Sequence, residues 1–513
     1  MKKIILFLFF LLLFYSSSFA QQEDTLSIQT EKTTCVFRKS PFSNLVYQIT
    51  CLADLGYGTR TAYTKLWKEK LNWSQEDSIK IEEWKSIIEK NDTILFKKND
   101  SSQLNTTYPF NFPDQTYLSE KIILEGIKAN SIEEYKKNMK PLLSSEEINK
   151  MESTLLHFSD RFYTWWNSLD QDSIVFNYYT LFKEKKLDLF CEKVAHFYGS
   201  IIPPNHRIYF NMMILPLTDE EKKTSKYKTS GNQIENYSLI EVGKNEPAQR
   251  QMEVVIHELF HYFHELSSTK KQLETICHFA NSKSPYAWGF YSYLNEVLAT
   301  VLGNGIVGQK VSSKEKFEER FKKEQSWYAN YYIDQSAKAI FDYTKTYIEK
   351  NKTLDESFCK EYIKLGSKKM KENIHSLSFI LSSHGFIVSD DTLYTLTPTL
   401  RRNFRTICID YGNLKDKITP LEKYKKLSSV ILVLQKDISL LKNKESILGT
   451  SSIETIEKNV KNYSSFVYPI ARSKKCTLYV LVAKDLQSME NLLTKFAKLK
   501  REQCETICLT EPN

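Results

Sequence analysis

Within the 513 residues, His257-Glu258-Leu259-Phe260-His261 is the segment whose residue types and spacing could do chemistry. Two imidazoles at i and i+4 lie one above the other on a helix face, so both can reach one tetrahedral metal ion. Glu258 stands about 100° round the helix from His257, near enough to meet a water on that metal without ligating it. The chain has only nine histidines, so chance is a poor source of this pattern. Met252, Val255, Ile256, Leu259, Phe260 and Phe263 make the helix apolar on most sides, which predicts burial. Two buried imidazoles and a carboxyl imply something to bind, and in an exported chain zinc is the expected metal.

A catalytic zinc needs a third protein ligand and an open position. The metzincin pattern H-E-x-x-H-x-x-G-x-x-H would require Gly at 264 and His at 267, where the chain has His264 and Ser267. Thirty-five residues after His261, the apolar run from Tyr291 to Thr300 carries one acid, Glu296, at its centre. A lone carboxylate among Leu, Val and Ala is costly unless paired or metal-bound, so Glu296 is the expected third ligand. The competitors His264, Glu265 and Glu274 lie too near the first helix to approach the metal from another side.

With this set, residues 205–305 resemble the gluzincin zinc metallopeptidases, the thermolysin-like group in which H-E-x-x-H is joined by a Glu from a later helix. The resemblance implies that His257, His261 and Glu296 hold one zinc and that Glu258 is the general base. It implies hydrolysis of a peptide or protein substrate. Asn295 and Ala299 match the family's Asn-Glu pairing and its small residue three places after the ligand. Some members orient a ligating His with an acid four places after the third ligand; here that place holds Thr300. Gluzincins commonly use a Tyr or His against the oxyanion, and Tyr286, Tyr291, Tyr293, His375 and His384 are available, with Tyr293 and His384 taken as the candidates. The strand ending at Val242 is the implied edge for pairing an extended substrate. The alternative is a catalytically inactive gluzincin-like scaffold that binds an extracellular or periplasmic partner, against which the intact Glu258 counts.

The elements that must position these residues read as α+β, predominantly helical. Amphipathic stretches recur at Ser78 to Glu89, Leu118 to Ala129, Ser131 to Met139, Ser145 to Ser168 and Ser173 to Tyr198, giving a helical N-terminal region over 21–200. Trp165, Trp166, Phe158, Phe162 and Tyr163 fall at helical spacing and read as core. Arg207 to Leu217 and Gln233 to Val242 read as strands, and a long helix opens near Asn245 with Pro247 in its first turn. Helices follow at Phe290 to Leu302, Ser313 to Glu349 and Leu354 to His375, completing a catalytic core with helical extension over 201–420. Gly303 to Gly308 satisfies G-x-G-x-x-G but follows a helix, so it reads as a helix cap and turn rather than a nucleotide site. From Val430 the alternation predicts a small α+β module, loosely βαββαβ, over 427–513.

Composition sets the remaining bounds. A chain that is 41% hydrophobic can bury a sizeable core. The net charge of +9 falls to +7 without Lys2 and Lys3 and is spread in mixed Lys/Glu runs, too thin a field for nucleic acid. Residues 1–20 combine Lys2-Lys3, a short apolar run and Ser16 to Ala20, the pattern of a cleaved signal peptide. A periplasmic or secreted protein with no stable membrane span after cleavage is expected. Nine scattered cysteines without Cys-x-x-Cys leave at least one unpaired, with Cys35–Cys51 and Cys476 to Cys504 or Cys508 as the first pairs to test.

Overall fold

The chain enters its fold as strand. β1 (Asp24–Gln29) and β2 (Thr33–Lys39) form an antiparallel hairpin that sets Leu26 opposite Phe37 and Ile28 opposite Cys35. The run Thr33 to Phe37 is rich in β-branched and aromatic residues, which suit a half-buried pleated surface. The computed structural model describes residues 24–55, 60–97, 115–169, 173–216, 231–243, 247–404, 408–423, 427–473 and 476–513. The leader expected over 1–20 lies outside them.

After a short ladder of β3 (Ile94–Lys97) and β4 (Gln115–Tyr117), the chain returns to the first sheet with β5 (His206–Leu215), β6 (Gly231–Ile234) and β7 (Tyr237–Gly243). The order is β1-β2-β5-β7-β6, with β2, β5 and β7 parallel and β6 antiparallel to β7. The single strand expected over Gln233 to Val242 is therefore a hairpin, turning at Glu235 with φ +49. Val242 lies in an internal strand, and β6 is the outermost strand on that side among the described residues.

α1 (Pro41–Leu52) is buried at every position and is tied to β5, since the Asn44 side chain donates to Met212 O at 3.0 Å and accepts from Ile214 N at 2.7 Å. α2 (Ser145–Asn167) opens on a Ser144/Glu147 capping box and turns Phe158, Phe162 and Trp166 inward, the packing role their spacing predicts. The stretch expected as one helix over Ser173 to Tyr198 is two, broken at Lys186 with φ +51. α3 (Ala248–Glu265) follows Pro247, which occupies its cap. α4 (Ala287–Thr300) runs straight into a π-helix, Val301–Val307, where a cap and turn are expected. The helix expected over Ser313 to Glu349 is three: α5 (Lys314–Lys322), a loop, α6 (Tyr331–Ala339) and α7 (Phe341–Glu349). One apolar core runs from Cys35 to Phe379 through β2, β5, β7, α3 and α4. The boundary expected at residue 200 crosses that core, and the N-terminal region supplies two strands of the sheet as well as helices.

The last sheet is larger than the sequence pattern suggests. It takes in β8 (Ser383–Val388) and β9 (Cys408–Asn413) before β10 (Ser429–Leu434), β11 (Tyr463–Ser473), β12 (Cys476–Ala483) and β13 (Cys508–Pro512), in the order β13-β11-β12-β10-β8-β9. β12, β10, β8 and β9 are parallel. Val430, Leu432 and Leu434 face one apolar layer with Leu400, Phe404 and Phe496, while Ile431 and Val433 face another with Leu448, Ile453 and Ile456. Burial on both faces explains the unbroken apolar run of β10. The expected start at 427 thus cuts through one sheet, which begins at Ser383. Among the described residues, no helix is long and apolar enough to cross a membrane.

This unit docks on α4. Phe379 stacks on Tyr293 with ring centroids 5.7 Å apart and meets Phe290 edge-on, and the Ser292 and Ser383 hydroxyls hydrogen-bond. A chain stopped after residue 425 keeps β8 and β9 but loses the partner strand β10. Limited trypsin digestion should trim such a chain back towards residue 375, whereas an intact fragment ending near 425 would show that β8 and β9 fold without β10.

Candidate metal centre

The burial of α3 fixes the first two side chains. Met252, Val255, Ile256, Leu259, Phe260 and Phe263 pack into the core, which turns His257 and His261 together towards α4. Glu296 comes from the middle of α4 to meet them. The His257 and His261 Nε2 atoms are 3.1 Å apart, and Glu296 Oε2 lies 3.6 Å from the first and 3.7 Å from the second. A tetrahedral ion with ligands at about 2.0–2.2 Å sets its donor atoms roughly 3.3–3.6 Å apart. The three side chains form the group able to hold a metal ion among the described residues, and His264, Glu265 and Glu274 are not part of it.

The proton inventory makes the same point independently of distance. His257 Nδ1 lies 3.0 Å from Asn304 Oδ1, and His261 Nδ1 lies 3.0 Å from Asn295 Oδ1. An amide oxygen only accepts, so each imidazole carries its proton on Nδ1 and presents a bare lone pair at Nε2. Glu296 Oε2 is buried and has no hydrogen-bond partner. Three acceptors thus face one another with no donor between them, an arrangement that a cation stabilises and that otherwise costs free energy. Burial works to raise the Glu296 carboxyl, but its place beside His257 and His261 and a hydrogen bond from Tyr328 hold it down at about 2.

Glu258 sits beside the cluster. Burial pushes its carboxyl up to about 7, with His261 opposing the shift and the Glu296 charge adding to it. Its Cγ lies 3.1 Å from where a Cβ on Gly231 would stand, so the edge strand β6 passes directly by this carboxylate.

The residues that sequence reasoning missed lie on the π-helix and in the loop after α5. A Cβ on Gly303 would stand 2.9 Å from Glu253 O and from the Cα and Cβ of His257, so only glycine lets the π-helix come this close to α3. The next residue, Asn304, then reaches His257 Nδ1 and fills the orienting role that Thr300, four places after Glu296, does not. An amide between two glycines in an otherwise apolar helix was the available signal. Tyr328 lies between α5 and α6, with its ring stacked near His257 at a centroid distance of 6.0 Å. It is one of 30 tyrosines, and nothing in the sequence singles it out.

The Tyr328 loop is tightly fixed. Buried Asp334 accepts from Trp327 N at 2.9 Å, from Gln325 N at 3.0 Å and from Lys338 Nζ at 2.9 Å. Trp327 is buried among Phe317, Phe321 and Phe341 and rests against Gly305 of the π-helix. Arg320 of α5 pairs with Glu253 at 2.8 Å, one turn before His257. The interruption of the expected long helix is therefore what brings Tyr328 to the cluster.

The two oxyanion candidates chosen from sequence serve elsewhere. Tyr293 stacks on Phe379 and Tyr332 in the docking contact of the C-terminal unit. His384 is buried in β8, where its Nδ1 meets Leu381 O at 2.6 Å and burial pushes its pKa down to about 4. Tyr286 and His375 bond to each other at 3.0 Å, and Tyr291 packs on Phe279 and Trp288. His264 is a core histidine against Tyr198, pushed down to about 3 by burial.

Two substitutions test this construction. Gly303→Ala should destabilise the fold by about 1–3 kcal/mol through overpacking and weaken metal binding with it, measured by thermal melting and metal titration. Asn304→Leu should cost about 10–100-fold in metal affinity with a smaller effect on melting. Unchanged affinity in Asn304→Leu would remove the orienting role. Compared with protein-family models, with curated proteins and with solved structures, the chain finds no match in any of the three.

Proposed function

We propose that the chain is a zinc-dependent peptidase in which His257, His261 and Glu296 hold the ion and Glu258 is the general base. The observation that carries this reading is the meeting of two Nε2 lone pairs and the unpartnered Glu296 Oε2 without a donor. Two imidazoles and one carboxylate with a further position open are a common catalytic zinc set. When bound, zinc supplies Lewis acidity to the scissile carbonyl and lowers the pKa of a water.

The chain's own residues do the rest. Glu258 accepts the proton of the attacking water on its carboxylate and passes it to the leaving amine. Burial raises its carboxyl above the ordinary Glu range, the direction that suits a group which must both take and return a proton. The Tyr328 hydroxyl, which donates to Glu296 here, is the donor placed to turn towards a developing oxyanion. Asn295 and Asn304 hold both imidazoles at Nδ1 and keep each Nε2 aimed at the cluster. β6, outermost in its sheet among the described residues and adjacent to Glu258, is the strand along which an extended peptide would lie. That arrangement favours peptide bonds over other acyl groups, and the leader-like pattern of residues 1–20 supports action after export.

Elemental analysis of the purified chain after dialysis against metal-free buffer should find about one zinc per chain. Glu258→Gln should keep that zinc and the melting temperature while hydrolysis of an unfolded protein falls by at least about 10²–10⁴-fold. Tyr328→Phe should lower kcat by roughly 10²–10³-fold with little change in KM. A parent and a Glu258→Gln variant of equal activity would end the mechanism, and a parent that holds zinc without hydrolysing any peptide would leave the binding scaffold in its place.

A further inference from the structure

The C-terminal end of the chain holds a second reactive pair, far in sequence from the metal centre. Cys504 closes the short turn Arg501–Cys504, and Cys508 opens β13. Their Sγ atoms lie 2.6 Å apart. Bond formation at about 2.05 Å needs only a small side-chain adjustment. Neither of the pairings expected from sequence is formed: Cys35 and Cys476 are free thiols, and Cys476 Sγ donates to Leu427 O at 3.1 Å.

The turn that carries Cys504 is also the joint to the first unit. Leu377 N donates to Leu499 O at 3.0 Å, and Arg501 N donates to His375 O at 2.9 Å. Glu502 pairs with His375 at 2.6 Å, and His375 in turn meets the hydroxyl of Tyr286, the residue that precedes α4. Downstream of the pair, β13 joins β11 through two register shifts, and Leu509 takes a φ of +51. The pair therefore sits between an irregular terminal strand and the contact that abuts the helix bearing Glu296.

We propose that Cys504 and Cys508 are a modification site: they form a disulfide on meeting a small-molecule disulfide, and this bond locks residues 499–505 onto the joint with α4. Cys508 is the more exposed of the two, and Cys504 is buried. Exposure lets an external disulfide reach the Cys508 sulfur and not the buried Cys504, which makes Cys508 the attacking sulfur once it loses its proton. Its thiolate breaks the reagent's S–S bond and releases one thiolate, forming a mixed disulfide. Cys504 then loses its proton and attacks the Cys508 sulfur, releasing the second reagent thiol. Two protein thiols are oxidised and one external disulfide is reduced to two thiols. The ring is short, so its effect on the unfolded chain is small and its action is local.

The test uses the full chain and oxidised glutathione. Trypsin cuts after Arg501 and leaves Glu502 to Asn513 as one peptide containing both cysteines. After oxidation, acid quench and alkylation in denaturant, this peptide should carry no alkyl group and be two hydrogen atoms lighter than the dithiol. Cys504→Ser, which lacks the resolving thiol, should retain a glutathione adduct on Cys508. Amide exchange over 499–505 should slow on oxidation and recover on reduction. Two alkyl groups on the peptide, or a link from either cysteine to another part of the chain, would overturn the site. A disulfide that leaves exchange over 499–505 unchanged would overturn the lock.

Discussion

The distance between α3 and the π-helix is the constraint on which the metal centre depends. His257 can be oriented from behind only if a carbonyl reaches its Nδ1, and a carbonyl reaches it only if the two backbones nearly touch. Gly303 permits that contact, because any side chain would meet the α3 backbone at Glu253 and His257. The π-helix then sets Asn304 against the imidazole and Gly305 under Trp327 in consecutive positions. A π-turn closes i→i+5 hydrogen bonds and so puts its residues out of phase with an α-helix, and such turns are frequent at functional sites. Here the altered phase lets one short segment serve α3 on one side and the Tyr328 loop on the other.

The electrostatic character of the site follows from the same segment. Both imidazoles are backed by neutral amides, and the carboxylates that lie beside the cluster are Glu296 and Glu258, while Glu253, one turn before His257, is paired with Arg320. A carboxylate behind His257 would raise its basicity and strengthen its hold on a cation. The asparagines instead orient without adding charge, which leaves a bound dication less neutralised and more acidifying. Orientation and charge donation, combined in many metal sites, are separated in this one.

Much of this was legible in the sequence because it depends on local periodicity. The i, i+4 histidines and the apolar positions around them identified α3 and its burial, and an isolated acid in an apolar helix identified Glu296. The alternation after Val430 marked β10, β11 and β12 for the same reason. What stayed hidden depends on contacts between distant segments. Tyr328 is brought in by Asp334 accepting backbone N–H groups seven and nine residues earlier, within what reads as one amphipathic helix. β1 and β2 are held by β5, more than 160 residues away, and β8 and β9 by β10, so neither strand pair could be weighed by its own pattern.

The placement of the C-terminal unit follows from α4 rather than from a linker. α4 is apolar all round, and a helix of that kind must be covered on every side. α3 covers the face that bears Asn295 and Glu296, while Phe379 covers the face that bears Phe290 and Tyr293. Removing either cover would expose aromatic surface and free the helix to shift, and the Glu296 carboxylate would move with it. The unit is thus part of the support of the candidate metal centre, although it contributes none of the three side chains able to hold an ion.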